Sequence, residues 1–99
     1  MDNFPQVREE EARAAIRELH LFLSSIPVSA PDHSNASRAA SLVTPFLTGS
    51  MNDTFCAGLC GTLSKGIGDW HWTDATWQKL GPLISAAGDK TCQHVYAEA

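Results

Sequence analysis

The sequence predicts an all-α protein: a single small domain of four to five helices in an irregular bundle. Three observations carry this. Apolar residues recur at three- and four-residue steps along most of the chain, the pattern of helices with one buried face. No run alternates with period two for five or more residues, so no half-buried strand is marked. Prolines and glycines fall between the periodic stretches and punctuate them. At 99 residues, one domain is expected.

The first helix is predicted from about Pro5 to Ile26. Ala12, Ile16, Leu19, Leu23 and Ile26 form its stripe, with Ala15 and Phe22 beside them. Asn3 can cap it, and Pro5 is tolerated in a first turn. Glu9, Glu10 and Glu11 lie toward its positive end, and Glu9 with Arg13 makes a supportive pair four residues apart. Leu21, Phe22 and Leu23 run consecutively, more than one face can hold, so a second surface is expected to be covered there.

Residues 27–35, PVSAPDHSN, read as a loop. The second helix is expected to start on Ser34 or Asn35 as cap, with Ala36, Ala39, Ala40, Val43 and Leu47 inward. Pro45 lacks the N–H a helix needs, which predicts a kink or restart near Thr44. Gly49 reads as a stop. Ser50 is the expected cap of the third helix, with Asp53 completing the box. Met51, Phe55, Leu59 and Leu63 form its stripe, and Gly66 and Gly68 end it. Thr73 or Asp74 caps the fourth helix, whose inward residues are read as Trp77, Leu80 and Ile84. Gly81-Pro82 is expected to kink it, and Gly88 to stop it. Residues 89–99 form a short terminal helix on Val95 and Tyr96, or a frayed tail.

Composition narrows the function. The formal net charge is −4, and the seven Lys and Arg are scattered, so no cationic stripe exists to neutralise phosphates or an anionic membrane surface. Three cysteines are too few, and odd in number, for a secreted disulfide scaffold. No signal peptide or membrane span is visible. The chain reads as cytoplasmic with reduced thiols.

Candidate chemistry is sparse. Cys56 and Cys60 lie one helical turn apart, and Cys92 and His94 follow later. Four such ligands can close a tetrahedral zinc site, although knuckles place two residues between cysteines and these have three. Packing as small apolar side chains is the simpler account. Gly58 and Gly61 inside a helix cost about 1 kcal/mol each relative to alanine, which points to close helix approach as compensation. GTLSKGIGD is not a phosphate-binding loop, because Lys65 precedes the glycine and no strand comes before it. His20, His33, His71 and His94 belong to no catalytic signature, and no enzyme activity or cofactor is implied.

The most distinctive stretch is GIGDWHWTDATW, residues 66–77, which holds all three tryptophans. Trp77 reads as core. Trp70 and Trp72 flank His71 in a short connection, and a core this thin is not expected to absorb three indoles. Tryptophan brings large area, a polar handle and little rotamer entropy to interfaces. Trp70, His71 and Trp72 are therefore the expected partner-binding residues, with one of the two indoles partly exposed. A homodimer is also expected, its interface drawn from Leu21, Phe22, Cys56, Gly58 and Cys60. The preferred function is a regulatory protein that binds another protein: an inhibitor, an antiactivator of a transcription regulator, or an adaptor. The alternatives are a metal or redox protein using Cys56, Cys60, Cys92 and His94, or a small enzyme subunit.

Overall fold

The structure, a computed structural model, describes residues 4–96, with side chains from Arg8 onward. It is all-α: α1 (Phe4–Ser25), α2 (His33–Val43), α3 (Asp53–Gly61) and α4 (Asp74–Tyr96). Short 3-10 turns, Thr44–Leu47 and Ile67–Asp69, and a π-helical turn, Thr62–Gly66, fill the connections. No strand occurs among the described residues. None of the helices among them is long and apolar enough to cross a membrane.

The long helices set the shape. At about 1.5 Å per residue α1 and α4 each run about 33–35 Å, within a molecule of 48 × 22 × 21 Å. They pack on each other more extensively than any other pair of elements. Glu9, near the start of α1, reaches His94, near the end of α4, at 3.5 Å, so the two run antiparallel. The α1 stripe is buried as its spacing requires: Ala12, Ala15, Ile16, Leu19 and Leu23 are all covered. Ala36, Ala39 and Val43 of α2 meet that core, as do Leu59 of α3, Leu63 and Ile67 of the turns after it, and Leu80 and Ala87 of α4. The Glu9–Arg13 pair forms at 3.5 Å. The Asn3 cap lies outside the described residues.

Pro45 restarts the chain as expected: α2 ends at Val43 and a 3-10 turn begins with the proline in its first positions. Four other expectations need correction. First, α2 starts earlier than Ser34 or Asn35 allows; Asp32 holds the cap position without a side-chain cap bond, so the loop shortens to residues 27–32. Second, α3 is capped by Asn52, whose side chain accepts from the Phe55 N–H at 2.9 Å, and not by Ser50. Third, α4 does not stop at Gly88 but continues, with Pro82 inside it, to Tyr96. Pro82 is exposed, which puts its ring on the solvent side of α4, where a missing helical hydrogen bond costs least. Fourth, Trp77 is 42% exposed, whereas Trp72 is 7% exposed and part of the core.

The glycines of α3 are two different cases. A Cβ on Gly58 would meet the Phe46 ring at 3.4 Å, whereas one on Gly61 would meet nothing within 4 Å. The close neighbour at Gly58 is thus an aromatic ring of the first 3-10 turn. Phe46 in turn packs edge-on against Phe55, centroids 5.3 Å apart.

Candidate functional site

The tryptophan segment folds back on the end of the π turn because residue 68 has no side chain. A Cβ on Gly68 would lie 2.6 Å from the Leu63 carbonyl oxygen, closer than any real contact. The 3-10 turn at Ile67–Asp69 then delivers Trp70 in an extended conformation. Trp72 turns inward and donates its indole N–H to the Ile67 carbonyl at 2.9 Å, which satisfies the one polar atom its burial would strand. Trp70 is half-buried and stacks on Trp72, with centroids 6.3 Å apart and planes 23° from parallel. Trp77, one turn into α4, lies over its own Gly81, where an added Cβ would be 3.5 Å from the ring.

One face of α2 holds this segment in place. Asp32, Asn35 and Arg38 are three residues apart, so they stack along one side of the helix start. They meet the segment in reverse order. Asp32 accepts from the Thr73 N–H, at 3.2 Å, and from the Thr73 hydroxyl, at 2.5 Å. Asn35 donates its side-chain amide to the His71 carbonyl at 2.9 Å. The Arg38 guanidinium sits over the Trp70 ring, 5.0 Å from its centroid. Thr73, held this way, caps α4 by accepting from the Thr76 N–H at 3.4 Å. Burial alone would push the Asp32 carboxyl up. The hydrogen bonds from Thr73 and Thr76, with His71 nearby, outweigh burial and lower its pKa from 3.8.

The result is a concavity of about 220 Å³ lined by Gly68, Trp70, His71, Trp72, Asp74 and Trp77. His71 is exposed among these lining residues, and so is Asp74. Of the residues expected to bind a partner, Trp70 and His71 offer surface; Trp72 forms the floor. Trp77, read from sequence as core, is the most exposed of the three indoles.

The cysteines gather at the far end of α4. Cys92 Sγ lies 3.0 Å from Cys56 Sγ and 3.4 Å from Cys60 Sγ, and all three sulfurs fall within 4.8 Å of one another. All are free thiols. Burial, reinforced by the adjacent thiols, pushes Cys56 up to about 12. Burial and Cys92 also raise Cys60, so both hold their protons at neutral pH. His94 does not join them: it faces Glu9.

The residues expected at a dimer interface are dispersed in exposure. Leu21 is 66% exposed, Phe22 leans on the core, and Cys56 is buried at 2%. Gly58 is exposed beside Phe46, and Cys60 is half-buried. A second cleft, about 300 Å³, is lined by His20, His33, Ser37, Ser41 and Thr44 among others. His20 Nε2 lies 3.2 Å from the Thr44 hydroxyl. That hydroxyl already donates to the Ala40 carbonyl at 2.8 Å, so the imidazole is the donor in this pair and does not act as a base on Thr44. No family model, curated protein or solved structure matches the chain.

Proposed function

We propose that the protein is a small cytoplasmic regulator that binds another protein at the Trp70–Trp77 concavity, acting as an inhibitor, an antiactivator of a transcription regulator, or an adaptor. The observation that carries this is the concavity itself: three indoles line it, and the largest exposed one, Trp77, stands at its edge. Indole surface held open to water is costly unless a partner covers it. The three anchors from α2 hold the segment rigid, which lowers the entropy lost on binding.

The rim also favours one kind of partner. Asp74 is exposed and lines the concavity with the rings, and the net charge is −4. Trp70 already takes a guanidinium on its face, from Arg38. Aromatic faces beside carboxylates suit a Lys or Arg side chain next to an apolar one. A partner that itself binds nucleic acid carries such basic surface, and charge complementarity would speed the encounter.

The test is affinity capture from the native host, followed by titration of the identified partner against wild type, Trp77→Ala and Trp70→Ala. Trp77→Ala is expected to fold normally and to lose about 2 kcal/mol or more of binding, as a central aromatic anchor does. Affinity should also fall with added salt. Two correctly folded variants that bind at full strength would remove this surface from the function.

A further inference from the structure

The chain has three cysteines, and the fold brings all of them to one point. Cys56 and Cys60 project from one side of α3, a turn apart, and Cys92 comes across from α4. Metal–sulfur bonds of about 2.3 Å in a trigonal plane place sulfurs about 4.0 Å apart, and tetrahedral bonds about 3.8 Å. Two edges of the observed triangle, 3.0 and 3.4 Å, are shorter than these values, and the third is at most 4.8 Å. Shifts of about 1 Å or less along the short edges would open the triangle to these distances and seat an ion.

The donor set selects the kind of ion. It is all sulfur: His94 is turned to Glu9, 3.5 Å away, and the group of ligand atoms found among the described residues contains the three thiols alone. Structural zinc almost always takes four ligands. Thiolates without imidazole or carboxylate favour the softest cations, Cu(I) among them. There is also a way in. Cys92 lines an open cleft of about 550 Å³ with Arg8, Gln93 and Tyr96, so the sulfur triangle is reached from solvent while Cys56 closes its inner side.

We propose that Cys56, Cys60 and Cys92 form a three-thiolate site for a soft monovalent cation of the Cu(I) type, entered past Cys92 and Tyr96. Each thiol that binds releases one proton to solvent, and neither metal nor sulfur changes oxidation state. The site lies about 27 Å along α4 from Asp74, so it stands or falls independently of the tryptophan concavity.

The experiment is an anaerobic titration of the reduced, metal-free full chain with Cu(I), in competition with a chromophoric Cu(I) chelator. The expected result is one equivalent drawn from the chelator, with a thiolate-to-copper band in the near ultraviolet. Cys56 is buried, so its variants risk misfolding; Cys60→Ser and Cys92→Ser carry the test. Each should weaken binding by more than the 10–100-fold that follows loss of a mere second-sphere partner, while helicity is retained. His94→Ala should leave the affinity unchanged. X-ray absorption of the loaded protein should show sulfur neighbours and no nitrogen. Copper left on the chelator, affinity unchanged in Cys60→Ser and Cys92→Ser, or a nitrogen ligand lost in His94→Ala would each overturn the proposal.

Discussion

The two tryptophans that exchange roles show how residue-scale environment is decided. By spacing alone Trp77 belongs with Leu80 and Ile84, and Trp72 belongs to a connection. In the fold the inward stripe of α4 is Leu80, Ala87 and Thr91. Trp77 lies in the first turn of the helix, and there Trp72 enters the core from the preceding segment. A helical-wheel reading has no access to a side chain that arrives from outside the helix. Trp72→Ala should therefore cost about 3–5 kcal/mol, as large-to-small core changes do. Trp77→Ala should stay within about 0.5 kcal/mol, as exposed positions do. Urea unfolding of the two variants checks this, and equal losses would contradict the assignment of floor and rim.

At the scale of elements, most of the helices were legible and most of their caps were not. Stripes are long and redundant, so one awkward residue does not hide them. A cap is a single side chain, and Asp32, Ser34 and Asn35 all qualify by type. Asp32 turns away from its own helix to hold α4, and no local pattern records that. Only the three-residue spacing of Asp32, Asn35 and Arg38 hinted at a common face. The bond across helices has a pH consequence. The Asp32 carboxyl has a lowered pKa in the fold, so its contribution is complete above the unfolded value of 3.8 and is lost as pH falls through the lower folded value. Asp32→Asn should cost about 1.5–3 kcal/mol at pH 6, the scale of hydrogen bonds to a charged group, and the difference from wild type should shrink as pH falls below 3.8. A gap that stays constant across this range would show that the charge is irrelevant to the clamp. Two glycines give a second contrast. Gly68→Ala forces a Cβ against the Leu63 carbonyl and should cost about 1–3 kcal/mol, as overpacking does. Gly61→Ala, in helical backbone with open space around it, should gain up to about 1 kcal/mol from helix propensity. Melting curves of the pair separate a required glycine from a tolerated one.

At the scale of the whole molecule, the all-α class followed from periodicity and the absence of alternation. The juxtaposition of the thiols did not, because Cys56 and Cys92 are joined only by the packing of α3 on α4. The remaining question of scale is self-association. Leu21, Val28 and Leu42 are 66%, 82% and 43% exposed, and they lie on α1, the following loop and α2. These two helices pack together, so one helical hairpin carries all three. A standard interface needs about 800 Å² from each partner, about an eighth of this molecule's 5996 Å² surface, an area one hairpin face can supply. We propose that a homodimer would use Leu21, with Leu42 in place of the buried Cys56, as an isologous contact. Light scattering at high micromolar concentration should return twice the chain mass, and Leu21→Ser with Leu42→Ser should return a single chain of unchanged helicity. Gly58→Leu, where an added Cβ meets Phe46 and neither leucine, should leave the dimer intact. If wild type is already a monomer under these conditions, the hairpin face is not a self-contact. If Gly58→Leu dissociates the dimer and the leucine pair does not, the contact runs along α3 instead.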